Sequence, residues 1–188
     1  MIKDIACVIL SGGKSSRMGR DKALLPFKGF DTLTEFQLSK LSSNFKNLYV
    51  SSKDKKKFDF KANFIEDLKE YQDSSPYIAL ISSFKTLDDD VVAFLSVDVP
   101  FFKGEHFETL YANLDNHQAV VAKSPNGKQP LCAIYKREVL QHLIALTNKK
   151  KYRFDYLFER IDVKFVEFED EEIFVNLNTP DEYKSWAV

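Results

Sequence analysis

Two short apolar runs narrow the folds open to this chain. Ile5-Ala6-Cys7-Val8-Ile9-Leu10 and Val91-Val92-Ala93-Phe94-Leu95-Ser96-Val97 are nearly free of polar residues, rich in β-branched ones and too short for helices. A strand that is apolar on both faces must be covered on both, as a central parallel strand is. Shorter runs recur at Leu48-Tyr49-Val50, Asn63-Phe64-Ile65, Ala119-Val120-Val121-Ala122, Leu131-Cys132-Ala133-Ile134-Tyr135, Phe165-Val166-Glu167-Phe168 and Ile173-Phe174-Val175. All are expected as strands.

Helical stretches separate them. Thr32-Leu33-Thr34-Glu35 has capping-box spacing and opens a helix predicted to reach about Phe45. Pro76 starts another over Ile78, Leu80, Ile81 and Phe84. Apolar residues at helical spacing mark Gly104 to Leu114 and Val139 to Asn148, and Phe154 to Phe158 reads as a short helix. Thr179-Pro180-Asp181-Glu182 caps a last one, and Pro125-Asn126-Gly127-Lys128 is a turn. The alternation predicts one α/β domain over residues 1–188, a Rossmann-like three-layer α/β/α sandwich around a mostly parallel sheet.

Ligands of such sheets sit beyond the carboxyl ends of the strands. Gly12-Gly13, Asp67 and Asp98 each follow an apolar run, so all three are expected on one edge. The net charge of −1 supplies no global field for nucleic acid or an anionic membrane, and neither is expected as a partner. No segment approaches the ~20 apolar residues of a membrane span. Cys7 and Cys132 lie inside apolar runs, without CxxC or zinc spacing, and read as small buried hydrophobes. A reducing, cytoplasmic setting is expected. Lys53-Asp54-Lys55-Lys56-Lys57 reads as a solvated turn and Asp88-Asp89-Asp90 as an acidic one. His106, His117 and His142 are expected at polar or surface-facing positions.

The first run breaks at Ser11-Gly12-Gly13, and Lys14, Arg17, Arg20 and Lys22 follow within ten residues. Adjacent glycines let another group approach the backbone, and bare N–H groups beside cations suit a polyphosphate. The segment is not a P-loop, because the leading glycine of GxxxxGK[ST] would fall at Val8; GxGxxG is also absent. Asp98, at the exit of the most buried strand, is the best candidate for a metal ligand. By spacing alone it is equally a solvated strand end.

The full string Leu10 to Leu25, LSGGKSSRMGRDKALL, closely resembles the signature of the molybdenum cofactor guanylyltransferases, with Ser11 in place of the usual Ala. The resemblance implies a nucleotidyltransferase that uses Mg²⁺ to transfer GMP from GTP to molybdopterin. It assigns Arg17, Lys22 and Asp98 to catalysis, and Leu10, Ser11, Gly12, Gly13, Lys22, Asp67 and Asp98 to the nucleotide. Asp98 is the implied metal ligand. Arg153 resembles an arginine used on the pterin side, and Asn176-Leu177-Asn178-Thr179-Pro180-Asp181-Glu182 is similar to the family's NxNTPEE segment. Arg153, Asn176 and Asn178 are therefore expected to bind the acceptor, so the early half holds nucleotide and the late half acceptor. Lys14 and Arg20 fall at variable positions. Transient contact with molybdenum-insertion or molybdoenzyme-maturation proteins is a further expectation. The family's glycines after the Asp67-like position are missing from Ser75-Pro76-Tyr77-Ile78-Ala79-Leu80. A cytidylyltransferase on the same or another phosphorylated acceptor, and a non-catalytic nucleotide-binding regulator, are the alternative readings.

Overall fold

The computed structural model describes residues 2–12, 19–71, 73 and 75–187. Gly13, Lys14 and Arg17 lie outside them. Among the described residues seven strands form one sheet: β1 (Ala6–Leu10), β2 (Asn47–Ser52), β3 (Asn63–Glu66), β4 (Val91–Ser96), β5 (Ala119–Ser124), β6 (Gly127–Lys136) and β7 (Val163–Glu167). Their order is β3-β2-β1-β4-β6-β5-β7. β1 pairs in parallel with β2 and β4, and β2 with β3. β6 alone runs the other way, antiparallel to both β4 and β5, while β5 and β7 are parallel. The expected mostly parallel sheet is thus observed, with β6 as the reversed strand. Its reversal follows from the tight turn out of β5, where Gly127 sits at φ +134°, a conformation that side chains with a Cβ rarely adopt.

Among the described residues six α-helices cover the sheet: α1 (Leu33–Leu41), α2 (Pro76–Thr86), α3 (Gly104–Ala112), α4 (Leu140–Asn148), α5 (Phe154–Phe158) and α6 (Pro180–Trp186). β1 shows why both faces need cover. All five of its residues are buried, with Cys7 and Ile9 in one apolar cluster and Ala6, Val8 and Leu10 in the other. The first cluster takes Leu33 and Leu41 of α1, Phe107 and Leu110 of α3, and Trp186 of α6. The second takes Tyr77 and Phe84 of α2, Leu143 of α4 and Leu157 of α5. This is the expected three-layer arrangement, built by the alternation of side chains across a pleat.

Several local expectations are corrected. Ile173-Phe174-Val175 is not a strand: Glu172–Phe174 is a single 3-10 turn. With Ile173 and Phe174 buried, the segment packs by its apolar side chains without extending the sheet. α1 ends at Leu41 rather than near Phe45; Ser42, Asn44 and Phe45 bond back to Ser39 and Leu41 in a tightened last turn. His106 is not surface-facing. Its ring packs against Phe102 and Phe168, and its Nδ1 accepts from the Lys103 N–H at 2.9 Å.

Candidate active site

The parallel strands β1, β2, β3 and β4 all end on the same edge, Leu10 lying level with Ser51 and Ser96, and Ser52 with Glu66. Gly12, Asp67 and Asp98 follow there, as expected. Beyond β1 and β4 opens a cavity of about 270 Å³. Leu10, Ser11, Gly12, Asp21, Lys22, Ser96, Asp98 and Asn178 contribute to its wall. Among the described residues, a Cβ added to Gly12 would come no nearer than ordinary contact with the Lys53 backbone N, at 3.9 Å.

Three residues from distant parts of the chain meet in this cavity. Lys22 begins a 3-10 turn, Lys22–Leu24, capped by the Asp21 carboxylate, which accepts from the Ala23 N–H at 3.0 Å. The Lys22 ammonium donates to Asp98 Oδ2 at 3.1 Å and to Asn178 Oδ1 at 2.5 Å. Asp98 Oδ1 accepts from the Ser96 hydroxyl at 2.5 Å. Asn178 precedes α6, whose capping box fixes it: Glu182 Oε2 accepts from the Asn178 and Thr179 N–H groups, both at 2.8 Å. Those backbone hydrogen bonds, the Asn178 one first, hold the Glu182 carboxyl below its ordinary pKa.

Two further residues of the site, Lys57 and Asp21, are not among the site residues expected from sequence. Lys57 belongs to the basic run read as a solvated turn. Instead its ammonium turns inward and donates to the Ser11 carbonyl at 2.9 Å and to Asp21 Oδ2 at 2.7 Å. The Asp54 carboxylate caps the Lys55–Lys57 turn by accepting from the Lys56 N–H, a cue present in the sequence as Asp-x-Lys within the run. Asp21 thereby links the beginning of the Lys22 turn to the strand edge.

The remaining expected residues stand elsewhere. Asp67 is half-buried, outside the cavity wall, with its Oδ1 buried and without a hydrogen-bond partner among the described residues; burial raises its pKa against the opposing pull of Lys53. Asn176 is not in the cavity wall, and its Nδ2 donates to the Phe174 carbonyl at 3.3 Å. Arg153 lies in a second, shallower groove of about 520 Å³ with Lys128, Asp155, Tyr156 and Phe158. There it pairs with Asp155 at 3.3 Å and stays largely exposed. Asn178 and Lys22, expected in separate halves of the site, are direct neighbours.

Among the described residues no three His, Cys, Asp or Glu side chains gather into a metal cage. A divalent cation shared with phosphate oxygens and water needs only one or two protein carboxylates. Asp98 and Asp21 are the carboxylates of the cavity wall that could supply them.

A sheet of this topology, with a lysine and an aspartate meeting at the carboxyl edge of its central strands, puts a charged cavity where α/β folds bind their ligands. Solved structures of similar fold include a molybdopterin-guanine dinucleotide biosynthesis protein A from Archaeoglobus fulgidus, with TM-score 0.83 and 22% identity over 97% of both chains. Another is CMP:2-keto-3-deoxy-manno-octonic acid synthetase complexed with CTP, with TM-score 0.78 and 14% identity over 97% of this chain and 96% of that one. Residues 7–162 match the model of the MobA-like NTP transferase domain, and the chain belongs to that family. A relative from Campylobacter jejuni subsp. doylei, named molybdenum cofactor guanylyltransferase, is 40% identical over 98% of this chain and 96% of its own length. One of the same name from Helicobacter pylori is 31% identical over 98% of this chain and 92% of its own.

Proposed function

We propose that this chain transfers GMP from GTP to the terminal phosphate of molybdopterin and releases pyrophosphate. The observation that carries the reading is the meeting of Lys22, Asp98 and Asn178 in the cavity beyond Gly12, in a chain whose named relatives are guanylyltransferases. An acceptor phosphate oxygen attacks the α-phosphorus in line. The bond from that phosphorus to the bridging oxygen breaks, and the electron pair leaves with pyrophosphate. No general base is required, because the attacking phosphate is already ionised at neutral pH. Catalysis is then positioning and charge neutralisation. Lys22, and Arg17 by its place in the motif, neutralise the triphosphate and the leaving pyrophosphate. Asp98 is the residue that would hold Mg²⁺, which when bound supplies positive charge to the phosphate oxygens.

Asp67 suits the guanine edge, since a carboxylate can accept from N1–H and the exocyclic amine, and its buried Oδ1 has a lone pair to offer. Leu10, Ser11, Gly12 and Gly13 would take the rest of the nucleotide. Arg153, Asn176 and Asn178 are assigned to the acceptor. The contact of Asn178 with Lys22 favours Asn178 as the point where the two substrates meet. GTP as substrate also suits a cytoplasmic location. No described helix is long and apolar enough to cross a membrane.

A thermal-shift panel of GTP, CTP, ATP and UTP with Mg²⁺ tests the base. GTP at ~100 times its dissociation constant should stabilise by ~2.7 kcal/mol. A larger shift with CTP overturns the guanylyl assignment. Pyrophosphate release on mixing GTP, Mg²⁺ and acceptor separates an enzyme from a nucleotide-binding regulator.

A further inference from the structure

α1 packs its apolar residues Leu33 and Leu41 into the core, yet Thr34 and Gln37 on the same helix are fully buried. Thr34, Gln37 and Lys40 recur every third residue, so they form one polar stripe along the inner side of the helix. A buried amide or hydroxyl costs free energy unless its hydrogen bonds are made. Here, apart from one hydrogen bond between Lys40 and Gln37, they go to the two loops of the active site. The Thr34 hydroxyl donates to the Ala23 carbonyl at 2.8 Å, next to Lys22. The Gln37 amide donates to the Val97 and Val99 carbonyls, at 3.0 and 3.1 Å, on either side of Asp98. Lys40 donates to the Pro100 carbonyl at 2.8 Å and to Gln37 Oε1. The carbonyl of Asp98 itself accepts from the Leu177 N–H at 3.0 Å. All four carbonyls from Val97 to Pro100 are therefore tied, three of them by α1.

We infer that Thr34, Gln37 and Lys40 are positioning residues, a stripe through which α1 fixes where Lys22 and Asp98 stand relative to each other. The inference rests on the reading of Lys22 and Asp98 given under the proposed function. Packing alone does not account for Gln37, since a leucine would fill the same space in an apolar layer. Its amide serves both loop carbonyls at once, and its oxygen receives Lys40. None of the three side chains lines the cavity, so the stripe acts only through the loops it holds.

Gln37→Met keeps the volume and removes both donations. Calorimetric titration with Mn²⁺·GTP and with metal-free GTP reads the site, alongside kcat, KM and Tm. Because groups that orient a metal ligand are typically worth 10- to 100-fold, Mn²⁺·GTP affinity and kcat are expected to fall by at least ~10-fold. Metal-free GTP should bind within about twofold of wild type, as Gln37 holds the loop of Asp98 and makes no hydrogen bond to the turn of Lys22. Leu143→Ala, on the opposite core face, serves as a variant of lowered Tm with an unaltered site. If Gln37→Met changes Tm alone, as Leu143→Ala should, while Asp98→Asn loses Mn²⁺·GTP affinity, the stripe is only structural and the inference is wrong. If Asp98→Asn also keeps that affinity, the failure lies in the metal role given to Asp98. Should Gln37→Met not fold, Thr34→Val deletes a single donor beside Lys22 and is expected to raise KM for GTP by about three- to tenfold. An unchanged KM at unchanged Tm then overturns the inference.

Discussion

Asp98 and Lys22 neutralise one another at 3.1 Å, which keeps each from being a lone charge in a partly buried cavity. Asp98→Asn preserves shape and removes the negative charge. Turnover should drop by roughly 100-fold or more, the usual consequence of losing one charge aimed at the reacting groups. Near-wild-type rates in a pyrophosphate-release assay would remove Asp98 from the reaction. Lys57 plays a different part, holding the Ser11 carbonyl and Asp21 together. Both partners of that ion pair are one-third exposed or less. Lys57→Met should cost about 1 kcal/mol after allowance for solvent screening. A lower urea midpoint with an unchanged m-value is the expected result.

At the level of elements, α1 and α6 clamp the site from one face of the sheet. Burial lowers the Lys40 ammonium to about 7, well below the unfolded value for lysine. Below that pH the folded and unfolded chains both carry the proton, and folding bears the full cost of burying the charge. Between about 7 and the unfolded pKa the folded chain binds fewer protons, so stability rises with pH, by up to ~1.4 kcal/mol per pH unit for one proton. Lys40→Met should flatten that slope in urea unfolding measured from pH 6 to 10. In α6, the Thr179 hydroxyl accepts from the Glu182 N–H at 3.3 Å and completes the capping box. Thr179→Ala should cost about 1 kcal/mol of helix stability. Faster amide exchange confined to Pro180–Trp186 would show it, with a raised KM because Asn178 is held by the same cap.

Across the whole molecule, Arg137 joins the reversed strand to the rest of the sheet. Just after β6, its guanidinium donates to the carbonyls of Phe84, Leu87 and Asp89 at 2.6, 2.6 and 2.8 Å. The end of α2 and the loop into β4 are thereby tied to the last turn of β6. Arg137→Met leaves three carbonyls to find other partners and should cost about 3 kcal/mol. It stands at the Val91 end of β4, the opposite edge of the sheet from Asp98. GTP affinity measured by calorimetry in the folded variant should therefore match wild type, while Tm falls.

The sequence by itself determined what depends on local pattern. The apolar runs of β1 and β4 demanded cover on both faces, which required a parallel sheet between helices. Strand ends at Leu10, Glu66 and Ser96 put Gly12, Asp67 and Asp98 on one edge, because parallel strands share a direction. Thr32 and Thr179 announced helix starts through their capping hydroxyls, and Pro76 through its place at the first helical position. Only the tertiary structure decided what depends on long-range approach. Lys22 meets Asn178 across 156 positions of sequence, and no local pattern carries that distance. A basic run looks the same whether its lysines face water or, like Lys57, a carbonyl that folding brings near. The insertion of β6 between β4 and β5 was likewise set by sheet pairing, since a β-hairpin fixes its own two strands but not the neighbour that accepts them. Gln37 is the sharpest case. A polar residue on a helix face has no direction in sequence, and only the loop that arrives from β4 gives its amide two carbonyls to hold.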